Sequence, residues 1–220
     1  MTTIFVTSSG TDIGKTYVSA MLIRQLRAKG LPVHALKPVV SGVNEKTFPE
    51  SDPAALLAAL GEQVSFDNID LLSRWVFEPA LSPDMAAARA GVEIDFAELV
   101  NHCKAHQNLY DPLVIEGVGG LLVPLNTEKT VLDWMMALNG PGFVPLLVVG
   151  SYLGTISHTL TTLDVMRRHK LAPRAIIVSE SLSNPVSLEE TVEVMSRFTG
   201  ATPLVAMPRD GEVDIAGLVI

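Results

Sequence analysis

The sequence predicts an α/β fold: a single doubly wound, mostly parallel sheet with helices on both faces. Its strand-length apolar runs show little polar alternation, the mark of strands buried on both sides. Stretches of helical periodicity separate those runs, which is the order of a parallel sheet. The chain has 220 residues, 48% hydrophobic and 18% charged, enough for a sizeable core, so one domain over residues 1–220 is expected.

Taken in order, Ile4-Phe5-Val6 reads as the first strand and ends in a polar loop. A helix is expected from Lys15 to about Ala28, with Val18, Met21, Leu22 and Leu26 at helical spacing and Gly30 as its stop. Val33–Leu36 is the second strand. Leu113–Ile115, Leu146–Val149, Ala175–Val178 and Leu204–Met207 are further strands. Helices are expected near Asp52–Leu60, Phe96–Gln107, Val131–Leu138, Ile156–Arg168 and Ser187–Phe198. Parallel sheets bind ligands outside the carboxyl ends of their strands. The segments to inspect are therefore Thr7–Thr16, Lys37–Gly42, Glu116–Gly120, Gly150–Ser157 and Ser179–Asn184.

Composition narrows the partners. Sixteen Lys and Arg against 24 Asp and Glu leave a net charge of −8, which disfavours nucleic acid and anionic membranes. A small anionic ligand stays open, because lysines and backbone amides can make a local positive site. Cys103 is the single cysteine, so no disulfide framework forms within the chain. No signal-peptide pattern and no membrane-length apolar run occurs, and a cytoplasmic protein is expected.

The loop Ser8-Ser9-Gly10-Thr11-Asp12-Ile13-Gly14-Lys15-Thr16 joins the first strand to the first helix. Gly14-Lys15-Thr16 supplies a helix start for phosphate, a lysine for its outer oxygens and a hydroxyl for Mg²⁺. The leading glycine of that pattern falls on Ser9, and Gly10 is next to it. Glu116 closes a buried strand and reads either as a Mg²⁺ ligand or as a cap. Asp52, beside Ser51 at a helix start, has the same two readings. Lys37-Pro38 places a second lysine at a strand end, which suits a reaction spreading negative charge over phosphoryl oxygens. His102 and His106 have metal-ligand spacing but no third ligand, and a solvated helix face is expected. Cys103 reads as a packing residue, and Trp75 and Trp134 as core or interface.

Together these segments resemble the dethiobiotin synthetase family within the phosphate-loop NTPase superfamily. The matches are Phe5–Thr16, Lys37–Gly42, Asp52, Ser82-Pro83 with Ala86-Ala87, Glu116–Gly120 with Val123-Pro124-Leu125, and Leu153–Thr162. The resemblance implies an ATP- and Mg²⁺-dependent carboxylation and ring closure of 7,8-diaminononanoate with CO₂. Lys15 and Lys37 would stabilise the carbamate and the transferring phosphoryl group, with Thr11 and Ser41 hydrogen-bonded to carbamate or amine. Thr16, Asp52 and Glu116 would hold Mg²⁺. Asp12, Ile13, Gly14, Lys15, Thr16, Tyr17, Glu116 and Ser179 would surround the nucleotide. Ser41, Gly119, Leu153, Gly154 and Ser157 would meet the substrate. The Gly150–Ser157 segment works across a two-fold interface in the family, so a homodimer is implied, with free N–H groups at a helix start taking the substrate carboxylate. Without that role the segment is a simple helix start capped by Thr155 or Ser157.

Four departures stand out. Ser8 occupies the family's leading-glycine position, Asp12 replaces a common Glu, and Ser157 replaces Asn. Ser179-Glu180 stands where an Asn reads adenine. A hydroxyl cannot present both amide groups to a base, so weaker base discrimination is expected, with other nucleoside triphosphates substituting for ATP. A partitioning-type ATPase switch is the rival from another class. It carries an extra lysine early in the loop, where Ser8–Thr11 offers none, and an amphipathic C-terminal anchor, where Asp210–Ile215 is acidic. An amidotransferase-linked cobyrinate-type ligase would need room for a glutaminase domain. An inactive relative of the ligase stays open.

Overall fold

The computed structural model describes residues 1–209 and 211–220. Asp210, one of the acidic residues of the C-terminal segment, lies outside the described residues. Six parallel strands form the main sheet: β1 (Thr3–Ser8), β2 (His34–Leu36), β5 (Leu113–Glu116), β6 (Phe143–Val149), β7 (Ala175–Ser179) and β8 (Leu204–Met207), in the order β2-β5-β1-β6-β7-β8. The expected strands are all present. Two further three-residue strands, β3 (Val39–Ser41) and β4 (Trp75–Phe77), pair in a small sheet of their own.

Successive side chains on a strand point to opposite faces, and here both faces are apolar. Ile4, Val6, Val114, Leu146, Val148 and Ile177 pack in one cluster with α1 (Lys15–Ala28) and α2 (Asp52–Leu60). Phe5, Leu113, Ile115, Leu147, Ile176 and Val178 pack in the other. That second face is covered by α4 (Phe96–Gln107), α5 (Val131–Leu138), α6 (Thr155–Arg168) and α7 (Leu188–Thr199). A short helix, α3 (Pro83–Arg89), completes the order. Trp134 is fully buried, edge-on to Phe5 with ring centroids 4.9 Å apart. Cys103 is buried on the same side, and that burial pushes its thiol up to about 12, so packing is its role.

β1 lies centrally, with β5 on one side and β6 on the other. The chain leaves β1 toward β2 at one end of the sheet and later returns on the opposite side. Such a divergence opens a crevice at the carboxyl ends of the strands. Helix boundaries match the sequence pattern closely, with two corrections. α6 begins at Gly154 with no side-chain cap, so neither Thr155 nor Ser157 caps it; the Thr155 hydroxyl donates to the Gly150 carbonyl instead. Ser187 lies outside α7 as its cap, in a reciprocal pair with Glu190. Among the described residues no helix is long and apolar enough to cross a membrane.

At the sheet edge His34 stacks on Tyr110 with ring centroids 4.1 Å apart, and His106 lies parallel at 5.8 Å. His102 is 4.6 Å from His106. Burial, and then the neighbouring His106, push His34 down from 6.5 to about 4. A base whose folded pKa is depressed favours the neutral form on folding. Its stabilisation is full above pH 6.5 and is lost as the pH falls toward 4, because the unfolded chain takes up the proton first. The urea midpoint is therefore expected to fall less steeply between pH 7 and 4.5 in His34→Phe, which keeps a ring on Tyr110, than in the parent. Parallel pH curves for the two proteins would contradict this.

Candidate functional site

The loop between β1 and α1 turns sharply at two left-handed residues, Asp12 (φ 56°) and Gly14 (φ 96°). Left-handed residues in a tight loop let successive N–H groups converge into an anion-binding concavity, here in front of a helix start. Gly14 flanks α1 and has no side-chain cap, so the first N–H groups of the helix have no hydroxyl or carboxylate partner there. On its other side the loop touches the chain after β5. A Cβ on Gly120 would lie 3.2 Å from the Gly10 nitrogen.

Ser8 accounts for part of this shape. Its side chain is buried at the end of β1, with Oγ 2.6 Å from the Gly10 carbonyl and 2.8 Å from the Gly119 carbonyl. The same oxygen accepts from the Lys15 ammonium at 3.1 Å, and Lys15 also donates to the Gly10 carbonyl. A serine at the leading-glycine position thus ties the loop to its neighbour and holds its lysine. Burial and then the adjacent Lys37 push Lys15 down to about 8, against the opposing pull of Glu116, Asp52 and Asp12.

The second lysine lies at the centre. Lys37 Nζ is 2.6 Å from Glu116 Oε1, 2.7 Å from Asp52 Oδ2 and 3.0 Å from the Gly117 carbonyl, and only 2% of the side chain is exposed. Burial opposes its charge, yet Glu116 and Asp52 outweigh burial and hold Lys37 above the ordinary lysine range. Asp52 in turn is lowered: desolvation works against it, and Lys37 and Thr16 more than compensate. The Thr16 hydroxyl is 2.6 Å from Asp52 Oδ1 and 2.8 Å from Glu116 Oε1. The cap of α2 is Ser51, which accepts from the Ala54 N–H. That leaves Asp52 free to turn toward Lys37 and Thr16, so capping α2 is not its role.

Thr16, Asp52 and Glu116 form an all-oxygen donor set. Glu116 Oε2 is buried and has no hydrogen-bond partner, so an acceptor is left over at this spot. Mg²⁺ takes oxygen ligands and keeps several waters, and these residues fit it. Among the described residues no three His, Cys, Asp or Glu side chains are grouped to hold a metal ion, His102 and His106 included.

Two adjoining cavities share the loop. The smaller, about 200 Å³, is lined by Thr11–Tyr17, Lys37, Val40, Ser41, Asp52, Val118 and Gly119. The larger, about 840 Å³, runs from Ser9–Gly14 and Tyr17 to Ser179–Ser183, Tyr152, His158 and Arg209. The expected nucleotide and carbamate residues therefore converge, including Ser41, whose hydroxyl donates to the Leu81 carbonyl. Ser179 stands against the loop: a Cβ on Gly14 would come within 2.5 Å of its Oγ. Leu153, Gly154 and Ser157 line neither cavity, and Leu153 is 83% exposed. Tyr152 and Glu180 fall in segments that the strand-end rule marks, without being singled out as cleft residues, while His158 and Arg209 escape it. The strand-end rule, applied after β8 as well as after β7, would have found Arg209.

Comparison with known proteins adds three findings. A family model described as an AAA domain matches residues 2–215. The chain is 44% identical over 224 residues to the ATP-dependent dethiobiotin synthetase BioD of Methylobacterium nodulans, covering 99% of this chain and 98% of that protein. It is 43% identical over 205 residues to that of Acidiphilium cryptum, covering 92% and 91%. Among solved structures, a ParA family ATPase from Chlorobium tepidum is similar with a TM-score of 0.57 at 11% identity, over 95% of this chain and 85% of that one. The MinC:MinD cell division complex of Aquifex aeolicus gives a TM-score of 0.54 at 15% identity, over 96% and 82%. At such identities these two establish the fold alone.

Proposed function

The chain belongs to the dethiobiotin synthetase family of ATP-dependent cyclo-ligases, and from that premise we propose that it closes the ureido ring of dethiobiotin from 7,8-diaminononanoate, CO₂ and ATP. The observation that carries the reading is the buried Lys37 held between Glu116 and Asp52, beside a phosphate loop that presents Lys15. The partitioning-type switch takes its second lysine from the loop itself, where Ser8–Thr11 offers none, whereas Lys37 comes from the end of a neighbouring strand.

One amine of the substrate attacks CO₂ and loses a proton, giving a carbamate. A carbamate oxygen attacks the γ-phosphorus and ADP leaves, giving a carbamic-phosphoric anhydride. The second amine attacks the carbonyl carbon, phosphate leaves with the bonding pair, and loss of a proton completes the cyclic urea. No covalent protein intermediate is required. Lys15 and Lys37 offset the charge that builds on the carbamate and phosphoryl oxygens, while Thr11 and Ser41 orient carbamate and amine in the smaller cavity. Thr16, Asp52 and Glu116 would hold Mg²⁺, which when bound neutralises phosphate charge. The uncapped start of α6, with Leu153, Gly154 and Ser157, would serve a second copy of the chain, taking its substrate's carboxylate in a homodimer. That arrangement accounts for the absence of these residues from the cavity walls of their own chain.

The reading is tested by the dependence of ADP release on the other reactants. Release is expected to rise at least about tenfold when diaminononanoate and bicarbonate are both present, and to stay at its basal rate with either alone. Release indifferent to both would overturn the ligase reading.

A further inference from the structure

Several polar groups on the side of the larger cleft away from the phosphate loop are already engaged. Ser179 packs its hydroxyl against Gly14. Ser181 Oγ accepts from the Ser151 N–H while Ser151 Oγ accepts from the Ser181 N–H, both at 2.9 Å, a reciprocal clasp between the loops after β6 and β7. Tyr152 and His158 are hydrogen-bonded to each other at 2.8 Å. Glu180 differs. Its N–H donates to the Met207 carbonyl and its Oε2 accepts from the Arg209 N–H, both at 2.9 Å. These two bonds fix the half-buried side chain on the cleft wall, between the ends of β7 and β8. Oε1 takes no part in them. Arg209 also lines this cleft, and its positive charge favours an anionic ligand there.

We propose that Glu180 is the base-selecting residue of this chain, accepting a hydrogen bond from a base that carries an exocyclic amino group and disfavouring one that presents a carbonyl oxygen there. The proposal rests on reading this cleft as the nucleotide site. A carboxylate has only acceptors, so it pairs with the amino group of adenine or cytosine and repels the carbonyl of hypoxanthine or uracil. Selection then follows the functional group rather than ring size, so purine and pyrimidine triphosphates that share the amino group both serve.

The test measures binding and product formation for ATP, ITP, CTP and UTP, with parent and Glu180→Gln. Each pair, ATP with ITP and CTP with UTP, differs mainly in amino against carbonyl. In the parent, ATP is expected to bind about tenfold tighter than ITP, and CTP about tenfold tighter than UTP. In Glu180→Gln the preference is expected to be lost or reversed, because the amide oxygen stays on the Arg209 N–H and the NH₂ donor left facing the base favours a carbonyl over an amino group. The amide oxygen still accepts from Arg209, and an unchanged melting temperature checks that the wall is intact. Equal binding of CTP and UTP by the parent, or an unaltered gap in the variant, overturns the proposal. Binding ratios as expected with no dethiobiotin from any triphosphate would overturn the ligase reading alone. No triphosphate binding at all would overturn both.

Discussion

Replacing Lys37 with methionine is expected to lower the rate of ring closure by about 10³-fold while leaving a folded protein. Methionine fills a similar volume, so the result reports the lost charge rather than a cavity. Two effects combine. The developing charge on the phosphoryl and carbamate oxygens loses a preorganised cation, and removal of one such group typically costs about 10²–10³ in rate. The variant also leaves Glu116 and Asp52, both within 2.7 Å of the present ammonium, facing each other without a counter-charge. Breaking a buried pair costs about 3–5 kcal/mol. The 40% exposure of the Asp52 side chain puts the expected loss at or below the low end of that range. Mg²⁺ would supply a replacement charge at these oxygens, so it should raise the variant's melting temperature more than the parent's. A variant retaining more than about a tenth of the parent rate would refute the role given to Lys37.

The second large effect is expected at Gly14. A methyl there would sit 2.5 Å from Ser179 Oγ, on a backbone with φ of 96°. Left-handed conformation costs a residue with a Cβ about 1–2 kcal/mol, and the clash adds to it. The Ser179 hydroxyl can turn aside, but its Cβ remains 3.2 Å from the methyl, and the φ cost is relieved only by rotating the peptide groups that open α1, which are the anion donors. Gly14→Ala is therefore expected to weaken ATP binding by about 30- to 100-fold in an equilibrium titration. Ser179→Gly in the same chain should recover the part due to the clash and leave the part due to φ. Binding within about threefold of the parent in Gly14→Ala alone would show that the loop donors do not depend on this geometry.

The legible parts of this protein were those written in local pattern. Leu146–Val149 and Ala175–Val178 announce strands buried on both faces, and α1 shows its stripe from Val18 to Leu26. The strand-end rule points to the loop, Lys37 and Glu116 from the sequence alone. β3 and β4 escaped because the pairing of Val39–Ser41 with Trp75–Phe77 is a long-range event with no local period. Ser8 escaped in a different way. The sequence marks it as a missing glycine, but only the structure brings Gly119 and Lys15 to its hydroxyl. Glu180 and Arg209 lie far apart along the chain and meet because β7 and β8 are neighbours in register, Ser179 opposite Met207. Leu153, Gly154 and Ser157 line neither cavity of their own chain, and their place in the sequence gives no local sign of that.

The central claim is the ring closure itself. Isotope-labelled bicarbonate, 7,8-diaminononanoate, Mg²⁺ and ATP, incubated with the parent and with Lys37→Met, test it by mass spectrometry. The account predicts dethiobiotin carrying the label in its ureido carbon, one ADP released for each product, and little product from the variant. Folded parent protein that binds ATP and yields no labelled dethiobiotin would contradict it.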